Sequence, residues 1–304
     1  MKVLISDPLP EDGVKLLREK GVEVTVKTGM EKEELLQEIK AYDAIIVRSA
    51  TKVRKDVIDA AENLKLVVRG GVGIDNIDVE YAKTKNITVL NTPGASTVSV
   101  AELTIGMMIA VSRKIAEATI SMKGGKWEKK KFKGIELNGK TLGLIGSGRI
   151  GSAVAERAKA FGMKVIAYDP YVDDKILRDS GIEPVKDLND LLGSSDIISL
   201  HIPKTDETVN IINAETINKM KDGAILINCA RGGTVDETAL YNALKEGKLY
   251  GAGLDVYSSE PPEKSPLFEL DNVVLTPHIG ASTKEGQSRV SIEAAEKVIE
   301  FFNL

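Results

Sequence analysis

The segment Leu142-Gly-Leu-Ile-Gly-Ser-Gly-Arg-Ile-Gly151 constrains the fold more than any other part of the chain. It places Gly146, Gly148 and Gly151 in G-x-G-x-x-G spacing, directly after a β-type run, Thr141–Ile145, and at the start of a helix-period segment, Ile150–Phe161. Gly146 permits the tight turn out of the strand and Gly148 lets backbone approach a pyrophosphate. Gly151 allows close packing of helix on sheet, and the helix N-terminus offers amide donors to an anion. The next strand-like run, Lys164–Tyr168, leads into Asp169, close to the expected separation of about 20 residues. A carboxylate there can accept hydrogen bonds from both ribose hydroxyls and repels a 2′-phosphate, so the expected cofactor is NAD, not NADP. The glycine spacing alone is weak, because a turn capping a structural helix can show it. The strand, the helix and the acid around it favour the dinucleotide. A second cluster, Gly70-Gly-Val-Gly73, lacks those surroundings and reads as a loop facing a cleft, with Gly71 on its substrate side.

Short apolar, β-branched runs alternate with helix-period segments along almost the whole chain, the pattern of an α/β protein with parallel sheets. Five strands are expected early, at Val3–Ser6, Glu23–Val26, Ala44–Val47, Leu66–Val68 and Thr88–Leu90. Six more follow, at Thr141–Ile145, Lys164–Tyr168, Ile197–Leu200, Ala224–Asn228, Gly251–Asp255 and Val273–Thr276. The last helix carries an apolar stripe, Val290, Ala294, Ala295, Val298, Ile299 and Phe302, that must pack on something. We expect it to return to the first domain. The expected fold is thus two Rossmann-like or flavodoxin-like parallel-sheet domains. A dinucleotide-binding domain (96–281) is inserted in a discontinuous substrate domain (1–95 plus 282–304).

Composition narrows the class. The 304 residues are 42% hydrophobic and 28% charged, as in a globular protein. A net charge of −4 argues against a general nucleic-acid binder, and the lysine-rich stretch around Trp127 and Phe132 reads as a solvated linker. No apolar run reaches the roughly 20 residues of a membrane span. The N-terminus leads directly into Val3-Leu4-Ile5, so no secretory signal is expected. One cysteine, Cys229, excludes an intramolecular disulfide and fits a reducing compartment, so a cytoplasmic location is expected.

Only two histidines occur, His201 and His278, and each closes a strand-like run. Imidazole suits the transfer of one proton near neutral pH. Either could be structural. The neighbouring chemistry favours His278. Arg231 follows one strand in Asn228-Cys-Ala-Arg-Gly-Gly233 and can clamp a carboxylate at two points. Glu260 follows the next strand, and a buried carboxylate beside an imidazole fixes one tautomer and favours the protonated form. Singly, Arg231 and Glu260 read more readily as surface ion-pair residues. After three successive strands, Arg231, Glu260 and His278 can meet.

Gly146–Gly151, Arg231, Asp255, Glu260 and Pro277-His278 together resemble the D-isomer-specific 2-hydroxyacid dehydrogenase family, over essentially the whole chain. Val47-Arg-Ser-Ala-Thr-Lys-Val53 and Pro277-His-Ile-Gly-Ala-Ser-Thr-Lys-Glu285 are closer still to the phosphoglycerate dehydrogenases within it. The resemblance implies that Arg231 binds the substrate carboxylate, that His278 is the acid/base and that Glu260 supports it. It assigns Asp255 to the nicotinamide carboxamide, and Arg149 and Ile150 to the pyrophosphate. His201, Ile202, Cys229 and Gly280 would line the cofactor. Arg48 and Ser49 would contact the substrate, with Arg69 as a further cation and Lys52 either a cation or an exposed charge. Ser96 stands where some relatives carry an asparagine, which puts that contact in doubt. Val72 likewise replaces a polar residue.

The resemblance implies NAD-dependent oxidation of 3-phospho-D-glycerate to 3-phosphohydroxypyruvate, the first step of L-serine biosynthesis. Glyoxylate or hydroxypyruvate reduction is the alternative within the same chemistry, and an NAD-sensing binding protein is the alternative outside it. The Ala- and Met-rich helix from Ser96 to Ser112 has more apolar residues than one face needs. Relatives pair through this region, so a homodimer is expected, with a buried intrachain helix as the competing reading. Relatives often carry a C-terminal serine-binding regulatory domain, and with the last helix ending near Leu304 none is expected here. Neither nucleic acid, membrane nor metal is expected.

Overall fold

The aliphatic runs of the sequence become the strands of two all-parallel sheets in a computed structural model that describes residues 1–304. In chain order the strands are β1 (Lys2–Ile5), β2 (Glu23–Val26), β3 (Ala44–Val47), β4 (Leu66–Arg69), β5 (Thr88–Asn91), β6 (Thr141–Ile145), β7 (Lys164–Tyr168), β8 (Glu183–Pro184), β9 (Ile197–Leu200), β10 (Ala224–Asn228), β11 (Leu249–Leu254) and β12 (Val273–Leu275). The helices are α1 (Glu11–Glu19), α2 (Lys32–Glu38), α3 (Lys55–Ala60), α4 (Val79–Thr84), α5 (Thr97–Ser112), α6 (Ile115–Lys123), α7 (Arg149–Ala160), α8 (Asp174–Asp179), α9 (Leu188–Ser194), α10 (Ala214–Lys219), α11 (Glu237–Lys245) and α12 (Lys284–Phe302). The chain divides into two units, Met1–Thr97 with Ala281–Leu304, and Val98–Gly280.

In the first unit the sheet order is β2-β1-β3-β4-β5. This is the flavodoxin-like order, with its switch point between β1 and β3. A strand's side chains alternate between faces, and the core divides accordingly. Leu4, Ile45 and Val67 pack with Leu35, Val57 and Ile58 of α2 and α3. Val3, Ile5, Ile46 and Val68 pack with Val14 and Leu17 of α1 and with Ala294, Ala295 and Val298 of α12. The C-terminal stripe therefore completes the first sheet, and α12 starts from a cap in which Thr283 Oγ1 accepts the Gly286 N–H at 2.9 Å.

The second unit has the order β12-β11-β10-β9-β6-β7-β8. Read from β6 outwards this is the 3-2-1-4-5-6 order of a dinucleotide-binding sheet with one further strand, and its switch point lies between β6 and β9. Six strands were expected and seven form, because the two-residue β8 contains Pro184 and shows no apolar alternation. The strand at Ala224–Asn228 is buried throughout, as a central parallel strand should be. Helix α5 buries Val100, Ala101, Thr104, Ile105, Met107, Met108 and Val111 within the chain, so most of its excess apolar surface has an intrachain partner. No helix is long and apolar enough to cross a membrane.

The tightest helix contact lies where α12 crosses α1. The Gly13 N–H donates to Ser291 Oγ at 3.0 Å, and the Ser291 hydroxyl donates to the Pro10 carbonyl at 2.6 Å. A Cβ at Gly13 would collide with the Ser291 backbone carbonyl, which cannot rotate away. Gly13→Ala should therefore destabilise by about 1–3 kcal/mol through overpacking, read as a lower midpoint of thermal unfolding. An unchanged midpoint would show that the crossing is looser than described.

Candidate active site

The glycine turn sits at the end of β6 beside the end of β9. Gly146 has φ 88°, and a Cβ on it would lie 2.5 Å from the His201 carbonyl oxygen, so this position demands glycine twice over. A Cβ on Gly151 would run into the Gly146 carbonyl. Gly148 is different, since a Cβ there meets nothing within 4 Å. The protein itself does not require that glycine, and the open space suits the close approach of a pyrophosphate. Helix α7 begins next to it with no side-chain cap, which leaves its first amides for an anion. Asp169 follows β7, and its Oδ2 accepts the Ser147 N–H at 2.7 Å and the Ser147 hydroxyl at 3.0 Å. The acid therefore also shapes the glycine loop, which its spacing did not reveal.

The two histidines occupy opposite environments. At His201, Nε2 lies 3.0 Å from the Ser199 hydroxyl, while Nδ1 is buried without a partner. Burial pushes its pKa down to about 4, so the ring is neutral and unsuited to donating a proton near pH 7. Its place beside Gly146 and its orphaned nitrogen fit a ligand-lining role. Ile202 lies on the same side, with Cγ2 2.8 Å from where a Gly146 Cβ would be. Cys229 is buried with Sγ 3.4 Å from Met107 Sδ, and burial pushes the thiol up to about 12. It is a packed, unreactive thiol.

His278 is built into a pinned turn. Its φ is 52°, a left-handed conformation that is costly for a residue with a side chain. Asp255, buried at the end of β11, holds that turn with three hydrogen bonds. Its Oδ1 accepts the Thr276 hydroxyl at 2.6 Å and the Ile279 N–H at 2.7 Å, and its Oδ2 accepts the Gly280 N–H at 2.8 Å. The His278 Nδ1 then meets Glu260 Oε2 at 2.6 Å, while Glu260 Oε1 accepts the Tyr257 N–H at 3.1 Å. Burial pushes the Glu260 carboxyl up. The His278 bond, the Tyr257 amide and the charges of His278 and Arg231 outweigh it and hold the pKa below the usual carboxylate range. The pair is less buried than expected, with side chains 35% exposed at Glu260 and 46% at His278.

Arg231 is held in a turn after β10. The Asn228 Nδ2–H and the Thr234 hydroxyl donate to the Arg231 carbonyl at 3.1 and 2.8 Å. Glu237 accepts the N–H and hydroxyl of Ser258 at 2.7 and 2.8 Å, fixing the loop that carries Glu260. A cavity of about 480 Å³ opens beside the pair, between Tyr257, Phe268, Leu275 and Pro277. The fold thus brings Glu260 and His278 into contact, and the charge of Arg231 is close enough to help lower the Glu260 pKa. Asn228, Glu237 and Thr276 escaped the sequence reading, and their only signal is a polar residue at a strand end or a helix start.

In the first unit Arg48 and Ser49 follow β3, and Arg69, Gly70 and Gly71 close β4. Arg48 packs over Gly70, with its Cγ 3.5 Å from where a Gly70 Cβ would stand. Gly71 has φ 142°, and a Cβ on it would strike the Arg69 guanidinium. Burial lowers the Arg48 pKa while the charge of Asp7 raises it. Lys52 is exposed and Ser96 is buried.

A family model described as "D-isomer specific 2-hydroxyacid dehydrogenase, NAD binding domain" matches residues 105–280. A D-3-phosphoglycerate dehydrogenase of Methanocaldococcus jannaschii is 55% identical over 298 residues, 98% of this chain and 57% of the relative. The chain therefore spans little more than half the length of that protein. A hydroxypyruvate reductase of Thermotoga maritima is also 55% identical, over 98% of this chain and 97% of its own length. The structure of an NAD⁺-bound 3-phosphoglycerate dehydrogenase from Entamoeba histolytica superposes with a TM-score of 0.84 at 35% identity, covering 100% of this chain and 95% of that one. The chain belongs to the D-isomer specific 2-hydroxyacid dehydrogenase family, and residues 105–280 form its NAD-binding domain.

Proposed function

We propose that the protein oxidises 3-phospho-D-glycerate to 3-phosphohydroxypyruvate with NAD, through an Arg231–Glu260–His278 constellation. The observation that carries the chemistry is the 2.6 Å contact between His278 Nδ1 and Glu260. It fixes the tautomer with the proton on Nδ1 and leaves Nε2 to take the hydroxyl proton in oxidation or return it in reduction. Glu260, already ionised, stabilises the imidazolium that results. Arg231 pairs with the substrate carboxylate and polarises the neighbouring carbonyl. When bound, the dinucleotide supplies the hydride acceptor. Gly146, Gly148, Arg149, Ile150 and Gly151 hold its pyrophosphate, Asp169 the ribose, and His201, Ile202, Cys229, Asp255 and Gly280 line the remainder.

Relatives of both names stand at 55% identity, so identity does not choose between a phosphorylated and an unphosphorylated acid. Arg48 and Arg69, gathered with Ser49 and Gly71 at adjacent strand ends, favour the phosphorylated one. Hydroxypyruvate reduction is the second reading, favoured by a relative matched over 97% of its length. We further assign a homodimer. Ile115, Ile120 and Met122 on α6 and Trp127 just after it are exposed apolar residues, more than an isolated helix face leaves to water. Light scattering should give about twice 32.8 kDa, and a mass of 32.8 kDa would refute it.

NADH oxidation with 3-phosphohydroxypyruvate, hydroxypyruvate and glyoxylate tests the substrate. The phosphorylated acid should give the highest kcat/KM, and Arg48→Ala should remove that preference. A wild-type preference for hydroxypyruvate would replace the first reading with the second. His278→Ala should lower kcat by about 10²–10⁴ while NADH still binds. Near-normal turnover would take His278 out of the chemistry, and absence of turnover in the wild type would leave an NAD-binding sensor.

A further inference from the structure

The first unit holds a buried carboxylate that none of these roles uses. Asp7 follows β1 and is 4% exposed. An ionised group taken from water needs compensating hydrogen bonds, and every one Asp7 receives comes from one short segment, Arg48–Thr51. Its Oδ2 accepts the Arg48 N–H at 2.5 Å. The Thr51 N–H lies 3.1 Å from both oxygens, and the Thr51 hydroxyl donates to Oδ1 at 2.8 Å. From the other direction the Asn76 amide donates its two hydrogens to the carbonyls of Arg48, at 2.8 Å, and Thr51, at 2.6 Å.

These bonds do something an ordinary turn does not. In a closed β-turn spanning Arg48–Thr51, the Arg48 carbonyl would accept the Thr51 N–H. Here Asn76 takes the carbonyl and Asp7 takes the N–H, so the turn is held open at both ends. Ser49 and Ala50, between the clamped ends, are exposed and make no hydrogen bond within the chain. The opening lies at the ends of β1 and β3, the switch point of the first sheet, where open α/β sheets take ligands.

We propose that Asp7 and Asn76 are positioning residues that hold the Arg48–Thr51 turn in its anion-receiving shape, presenting Arg48 and Ser49 to the distal, phosphorylated end of the substrate. This rests on the assignment of Arg48 to the substrate above. Neither residue touches the substrate, and their effect travels through the turn.

The sign of the effect separates the clamp from bare electrostatics. Removing a negative charge close to a bound phosphate should tighten binding. Asp7→Asn instead turns an amide donor on the Arg48 or the Thr51 N–H, donor against donor, and should loosen it. The test measures kcat and KM for 3-phosphohydroxypyruvate and hydroxypyruvate, with NADH affinity by fluorescence, in wild type, Arg48→Ala, Asp7→Asn and Asn76→Ala. Asn76 is only half-buried, so its variant serves if Asp7→Asn does not fold. Both clamp variants should follow Arg48→Ala, raising KM for the phosphorylated acid about tenfold with kcat within about twofold. NADH affinity should stay unchanged. An unchanged or lowered KM in a folded clamp variant overturns the proposal, as does a parallel loss of NADH affinity. If Arg48→Ala raises KM equally on both acids, the phosphate reading fails while the clamp is judged by whether Asp7→Asn follows it. If Arg48→Ala moves KM on neither acid, both fall.

Discussion

All strands in each sheet run the same way, and the rest of the structure depends on that constraint. Parallel neighbours must be joined by crossovers, so the carboxyl ends of all strands in a sheet fall on one edge. Every candidate residue sits there for that reason. Gly146, Asp169, His201, Arg231, Asp255 and His278 follow six different strands of the second sheet, and Asp7, Arg48 and Arg69 close three of the first. Residues distant in sequence become neighbours without any long-range instruction beyond strand order.

A shared edge brings groups together but leaves their ionisation to local packing. His201 and His278 both follow strands, yet one is sunk beside the glycine turn with a nitrogen unpartnered while the other leans on a carboxylate. Burial alone disfavours charge on the first. At the second, the Glu260 carboxylate is placed to compensate charge on the ring, and its partial exposure limits the desolvation that a fully buried pair would suffer. One residue type thus occupies a buried setting that keeps it neutral and a carboxylate-supported setting on the same sheet.

Much of this was legible because periodicity and turn chemistry are local. The glycine spacing, the strand at Ala224–Asn228 and the stripe on α12 each have a signature within a short window. Strand β8 lacks one, being two residues long and containing Pro184. The apolar excess of α5 was visible, but which surface would cover it depends on tertiary packing. Asp255 shows the deepest limit. Its position could be matched to a family pattern, whereas its three bonds to residues 276–280 exist only once β11 and β12 lie side by side. Asp7 and Asn76 were overlooked for the same reason, since Asp7 is unremarkable until β1 and β3 pair and Asn76 until β3 and β4 do.

Those acids share a physical logic. Asp7 follows β1 and binds the turn after β3, Asp169 follows β7 and binds the loop after β6, and Asp255 follows β11 and binds the turn after β12. In each case a carboxylate on one strand end accepts amide hydrogens from the loop on the adjacent strand. Loops leaving a parallel sheet have no antiparallel neighbour to take their N–H groups, and those groups cannot stay unpaired when buried. A carboxylate accepts several at once and, being ionised, binds each more strongly than a neutral carbonyl does. It can therefore hold a loop in a shape that backbone hydrogen bonding alone would close, as the open Arg48–Thr51 turn and the left-handed His278 illustrate. The same arrangement explains why such an acid is hard to classify from sequence. Its position at a strand end is that of a ligand-binding residue, and its hydrogen bonds are those of a structural one.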